Sequence, residues 1–148
     1  MRVALGAFAP DALHAHDGSV KWKYLTGDDV QSSPAVVDGV VYIASNDGYL
    51  YALDADTGSP YWRAPVGDLD ESTGIIDNKG PVTCRPAISG DAVCVIDTLF
   101  NIVRAYTRHD GSARWTFKSK SYANVDPIAA DGLILFGSGD QTLYAFGA

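Results

Sequence analysis

Four carboxylates fall within ten residues at Asp68, Asp70, Glu71 and Asp77, inside a segment from Gly67 to Gly80 that also holds three glycines. Hard oxygen donors carried on a turn are what calcium takes as ligands, so these four are the candidate metal ligands of the chain. The segment has neither the Asp-Gly spacing nor the terminal bidentate glutamate of an EF-hand loop, and a solvated acidic loop is the simpler reading. His14 and His16 alternate as they would on one face of a strand, a spacing that metal sites use. His109 and Asp110 precede Gly111, where a polar turn residue is expected for conformational reasons alone. No serine, cysteine or threonine is set beside a histidine base by this pattern, so no nucleophilic or acid–base catalytic group is assigned.

Cys84 and Cys94 are the two cysteines of the chain. A hairpin turning at Gly90 and Asp91 places Cys94 opposite Ala87 and leaves Cys84 about three strand residues away, roughly 10 Å at strand rise. A disulfide needs Cα atoms within about 7 Å, so both read as small buried residues.

The elements that would position these groups are repeats. Ala12 to Trp22 matches Ala52 to Trp62 and again Ala105 to Trp115, and each of the three tryptophans stands four residues after a glycine, at Gly18, Gly58 and Gly111. A second block, Ser33 to Leu53, aligns without a gap to Asp126 to Phe146, and Arg85 to Ile96 is a degenerate third copy. Trp22 and Trp62 are 40 residues apart and Trp62 and Trp115 are 53 apart; 12 of the 13 extra residues lie between Trp62 and Pro86, which makes the acidic segment an insertion in the second unit. Within each unit, short β-prone runs such as Val40 to Ala44 are separated by turn pairs, among them Asp38-Gly39, Asp47-Gly48 and Asp131-Gly132, which supply the positive φ angles of tight hairpins. Runs apolar on both faces belong to sheets covered on both sides. Four strands per 40 or so residues is the length of a propeller blade.

Composition agrees and narrows function. The chain has 148 residues, 47% apolar and 20% charged, with a net charge of −7. Eighteen acidic against eleven scattered basic residues argue against a nucleic-acid or anionic-membrane partner. No apolar run approaches the roughly 18 residues needed to span a bilayer. The longest one near the start, Val3 to Ala9, reads as a cropped blade in preference to a truncated signal peptide.

The pattern Ala52, Asp54, Thr57, Gly58, Trp62, with Ser33, Pro34, Ala35, Asp38, Gly39 and Val40 to Tyr42 in the other block, resembles the tryptophan-docking repeat of the pyrroloquinoline-quinone (PQQ) β-propeller superfamily. The resemblance covers residues 12 to 146; WD and Kelch repeats fit less well. It implies an all-β propeller of four-stranded antiparallel blades in which each outer-strand tryptophan packs on the next blade and the glycine makes room for it. It assigns about three blades, residues 33–66, 84–118 and 125–146. The N-terminal segment, 12–26, is expected to supply a lone outer strand that closes a ring by exchange in a homo-oligomer, two chains giving six blades. The other expectation is that the chain joins the rest of a longer propeller.

In the PQQ dehydrogenases of that superfamily the quinone lies between a tryptophan and a disulfide of adjacent cysteines, with calcium beside it. This chain has no adjacent cysteine pair, and all three tryptophans sit in the repeat motif, so no residue carries over as a cofactor or catalytic group. The expected function is therefore a non-catalytic binding or scaffolding propeller for a protein or small-molecule ligand, with no cofactor, in a bacterial extracytoplasmic setting implied by the resemblance alone. A fragment of a quinoprotein oxidoreductase and a minimal self-assembling propeller unit are the alternatives.

Overall fold

A computed structural model describes residues 2–5, 10–77, 80–123 and 125–147. Sixteen strands appear among them, and no helix is long and apolar enough to cross a membrane. The first sheet holds β1 (Arg2–Leu5), β2 (Pro10–Leu13) and β3 (Val20–Lys23); the second holds β4 (Ala35–Val37), β5 (Val40–Ala44), β6 (Tyr49–Asp54) and β7 (Pro60–Pro65). A separate hairpin, β8 (Asp68–Asp70) and β9 (Ile75–Asp77), comes next. The third sheet is β10 (Ala87–Ser89), β11 (Ala92–Asp97), β12 (Ile102–Thr107) and β13 (Ala113–Lys118); the fourth is β14 (Ile128–Ala130), β15 (Leu133–Gly137) and β16 (Leu143–Gly147). Every pairing is antiparallel between chain neighbours.

The N-terminal segment departs from expectation. It is not a lone outer strand awaiting another chain, because β3 pairs with β2 and β2 with β1. Residues 2–5 provide the extra strand, and the part of the apolar run at 6–9 lies outside the described residues. Among the described residues the chain thus forms four blade-like sheets besides the β8–β9 hairpin, the first showing no inner strand and the fourth no outer one.

One turn recurs. In Asp54 to Ser59 the Asp54 N–H donates to Ser59 O at 2.8 Å and the Gly58 N–H donates to Asp54 O at 2.9 Å. His14 to Ser19 and Thr107 to Ser112 close in the same way. A left-handed residue is needed at the fifth position, and Gly18, Gly58 and Gly111 hold φ of 74°, 74° and 73° there. The same turn corrects the reading of His14 and His16: β2 ends at Leu13, so both sit in the turn, their rings edge-on at 5.6 Å. Of the three turn pairs singled out in the sequence, Asp38-Gly39 and Asp131-Gly132 have positive φ at both residues, whereas at Asp47-Gly48 only the glycine does.

The sheets stack in chain order, each joint built around apolar side chains. The first and second enclose Ala12, Trp22, Val41, Ile43, Tyr51 and Leu53; the second and third enclose Tyr42, Leu50, Ala52, Val93, Val95 and Tyr106; the third and fourth enclose Cys94, Ile96, Val103, Ile134 and Phe136. At the first joint the Trp22 ring lies on Gly58 so closely that a Cβ there would meet it at 2.6 Å, and the indole N–H donates to Ala55 O at 3.0 Å. Trp62 repeats this on Gly111, at 2.6 Å, and donates to Arg108 O at 3.0 Å. Trp115 stacks instead on Phe146, ring centroids 4.8 Å apart. Each of these outer strands enters its tryptophan through a register shift at the same place, after Ala12, Ala52 and Ala105, and such a bulge re-aims the side chain that follows.

Gly58→Ala is therefore expected to destabilise the protein by about 2 kcal/mol or more, combining the left-handed penalty with overpacking against Trp22; a matched denaturant titration of wild type and variant checks it, and an unchanged midpoint contradicts the close approach. A second outcome concerns pH. Asp54 accepts from Tyr61 Oη as well as from Thr57 and Asp56, and this holds its carboxyl down at about 2. A depressed carboxylate contributes stability that is full above its unfolded value near 3.8 and is lost as pH falls towards 2. Tyr61→Phe should shrink that loss in acid melts recorded between those limits, because the Tyr61 hydroxyl is the largest cause of the shift.

Candidate functional site

The acidic insertion folds as the hairpin β8–β9, which reuses the recurrent turn: the Gly74 N–H donates to Asp70 O at 2.8 Å. Asp68 lies opposite Asp77 across the hairpin and Asp70 opposite Ile75. Asp70 closes its own turn, accepting from the Ser72 hydroxyl and backbone N–H, and those bonds hold its carboxyl below the usual range. Asp68 instead accepts from Arg104 Nη2 at 2.8 Å. Glu71 and Asp77 point to solvent. Asp68, Asp70, Glu71 and Asp77 are thus not gathered into one coordination sphere, and among the described residues no three His, Cys, Asp or Glu side chains form a metal-holding group.

Cys84 and Cys94 are free and buried, and Cys94 stands opposite Ala87, as the hairpin geometry requires. Burial pushes the thiols up to about 11 and about 12, so neither is a nucleophile at neutral pH. A quinone cradle of the kind the resemblance implies needs a disulfide of adjacent cysteines and a tryptophan face. Here the cysteines are ten residues apart, and the three indoles are spent on joints between sheets, so these residues do not fit that cofactor.

Arg104 is the residue the sequence pattern did not single out. It occupies the strand position held by Tyr51 in the second sheet and Tyr144 in the fourth, where the first sheet has Asp11. In the second and fourth sheets the tyrosine hydroxyl donates to a carboxylate on the preceding turn, Tyr51 to Asp47 and Tyr144 to Asp140, each at 2.6 Å. In the third sheet the carboxylate position is Phe100, and Arg104 is served by Asp68 of the insertion instead. The substitution and the insertion are thus one feature. Aligning the three copies column by column exposes the exchange of Tyr for Arg, but only the fold shows that the insertion answers it. Beside this pair, the hairpin and the third sheet enclose a groove of about 320 Å³ walled by Pro65, Leu69, Tyr106 and Trp115.

Two other surfaces are open. The inner strands β4, β10 and β14 converge around a cleft of about 380 Å³ lined by Val36, Ile88 and Ile128, with Arg85 and Asp126 at its edge; the Arg85 N–H donates to Asp126 Oδ1 at 2.8 Å. The second surface is the outward face of the fourth sheet, where Ile128, Leu133 and Leu143 are 62%, 39% and 71% exposed. Register places Ile128, Leu135 and Ala145 side by side on it. The equivalent residues of the second sheet, Ala35, Tyr42, Leu50 and Ala52, are buried, and the last three of them pack against the third sheet. These groups present aliphatic and aromatic surface with one ion pair, Arg104 with Asp68.

Comparison with known proteins places this architecture. The family profile described as outer membrane protein assembly factor BamB matches residues 11–148. The serine/threonine-protein kinase AfsK of Streptomyces griseus is 31% identical over 130 residues, covering 84% of this chain and 15% of the kinase. Among solved structures, BamB of Moraxella catarrhalis superposes with a TM-score of 0.72 at 22% identity, over 99% of this chain and 45% of that one. A quinohemoprotein alcohol dehydrogenase of Pseudomonas putida superposes with a TM-score of 0.75 at 21% identity, over 99% of this chain and 31% of that one. This chain therefore spans less than half the length of each of these proteins, and the structural likenesses establish the propeller fold. By its sequence match across residues 11–148, its four antiparallel sheets and its repeated motif, the chain belongs to the BamB family of PQQ-like β-propeller repeats.

Proposed function

We propose that this chain is a non-catalytic binding or scaffolding segment of an extracytoplasmic β-propeller, and that the outward face of β14–β16 is its binding surface. One observation carries the reading: the side chains that the repeat buries between neighbouring sheets are, on the fourth sheet, in solvent. Ile128, Leu133 and Leu143 form a contiguous apolar surface of the kind that marks an association site. Covering one such side chain is worth about 1.5–3 kcal/mol. The occupant is a further blade-like sheet, contributed by a second copy of this chain or by the rest of a longer propeller. Membership of a family named for an assembly factor supports protein binding in place of turnover.

A second reading, a fragment of a quinoprotein oxidoreductase, draws on the likeness to the quinohemoprotein alcohol dehydrogenase. It requires the cofactor site to be supplied by other blades, because the cysteines and tryptophans described above do not provide one. Visible absorbance of the purified chain mixed with PQQ and calcium tests it, a protein-bound quinone spectrum being the result that favours the enzyme.

Light scattering coupled to size exclusion tests whether a second copy of this chain is the occupant. The expected mass is twice 15.7 kDa, falling to a single chain in Leu143→Arg, which places a charge at the most exposed apolar position of that face. A wild type that stays monomeric at every concentration and matches Leu143→Arg in elution overturns self-association through this surface.

A further inference from the structure

We propose that the groove beneath the hairpin β8–β9 binds a small organic acid, whose carboxylate takes both donors on one edge of the Arg104 guanidinium in place of Asp68. The groove measures about 320 Å³, at the small end of the range for small-molecule pockets, about 300–1,000 Å³. Its walls are Pro65, Leu69, Tyr106 and Trp115, an apolar and aromatic lining, with Arg104 and Asp68 as its charged members.

The guanidinium is the unusual element. Arg104 stands where the second and fourth sheets carry Tyr51 and Tyr144 and the first carries Asp11, so a positive charge occupies this position in the third sheet alone, and its side chain is only 17% exposed. Asp68 meets one of its donors, Nη2, at 2.8 Å. The adjacent donor, Nε, is buried and has no hydrogen-bond partner among the described residues. Nε and Nη2 share one edge of a planar fork whose spacing matches the two oxygens of a carboxylate. Asp68, reaching across from the hairpin with its side chain 56% exposed, uses half of that edge. A ligand carboxylate seated along it satisfies both donors, while the apolar walls cover the body of the acid. Among the described residues the hairpin strands pair only with each other, so lifting the hairpin to admit a ligand breaks no strand ladder.

The site uses other residues than the end face of β14–β16, so the two readings fail separately. The test is a titration of the whole ¹⁵N-labelled chain with sodium benzoate at constant ionic strength, following the Arg104 Nε–H and Trp115 indole correlations, with benzamide as the uncharged control. Expected are saturable shifts of both signals with benzoate and none with benzamide. Asp68→Asn removes the resident competitor and should tighten the apparent Kd severalfold. Arg104→Tyr installs the residue that the second and fourth sheets carry at this position, its folded state is checked by the dispersion of the same spectrum, and it should abolish the Trp115 response. Non-saturating shifts in both wild type and Asp68→Asn, an equal response to benzamide, or binding that persists at Trp115 in Arg104→Tyr overturns the proposal.

Discussion

The seating of an indole on a left-handed glycine is the contact on which the stack of sheets depends. Trp22 on Gly58 and Trp62 on Gly111 each join the outer strand of one sheet to the turn of the next, and each ends in a hydrogen bond from the ring to a backbone carbonyl. The apolar body of the ring fills space that no Cβ could share, while its one polar atom is satisfied by a carbonyl at the turn. Since the glycine is also the residue that closes the turn, hairpin geometry and packing between sheets are set by the same atom group. A bulge at the same step of each outer strand aims the ring, so local backbone irregularity is part of the joint.

Joints of this kind make the molecule nearly one-dimensional. Each sheet touches its neighbours in chain order, and the three apolar clusters are separate, one for each interface. Stability in such a stack is approximately a sum of sheet and interface contributions, and a terminal sheet has one interface fewer. The fourth sheet shows the consequence: its inward face holds Ile134 and Phe136 in a packed aromatic cluster, while the outward residues that the same pattern makes apolar stand in solvent. The property that lets the repeat extend is the property that leaves apolar side chains of the fourth sheet in solvent.

Variation in the repeat falls where it can carry individuality. Tyr51 with Asp47 and Tyr144 with Asp140 are internal pairs that hold a turn to its own strand. In the third sheet that pair is broken, and Arg104 takes its carboxylate from a hairpin of the preceding unit. The exchange converts an internal brace into a link between an insertion and a blade, and it leaves an incompletely used guanidinium beside a groove.

The repeat spacing, the glycines four residues before each tryptophan, and the alternation of apolar runs with turn pairs were enough to determine the strands, the antiparallel blades and the place of the insertion, because these depend on local backbone preference and on a period that side-chain types display directly. The opposition of Cys94 and Ala87 followed from hairpin register for the same reason. Three things waited on tertiary structure. Residues 2–5 overlap an apolar run that reads as a cropped blade but carry no repeat motif, and the pairing of β1 with β2 and β2 with β3 is what made the N-terminal segment a sheet and not a lone strand. His14 and His16 looked like strand residues because a five-residue turn and a strand end have the same residue types until a positive φ is placed. The four carboxylates of the insertion were adjacent in sequence but were sent apart, one to Arg104, one to its own turn and two to water, since a hairpin fixes which side chains share a face and long-range partners decide the rest.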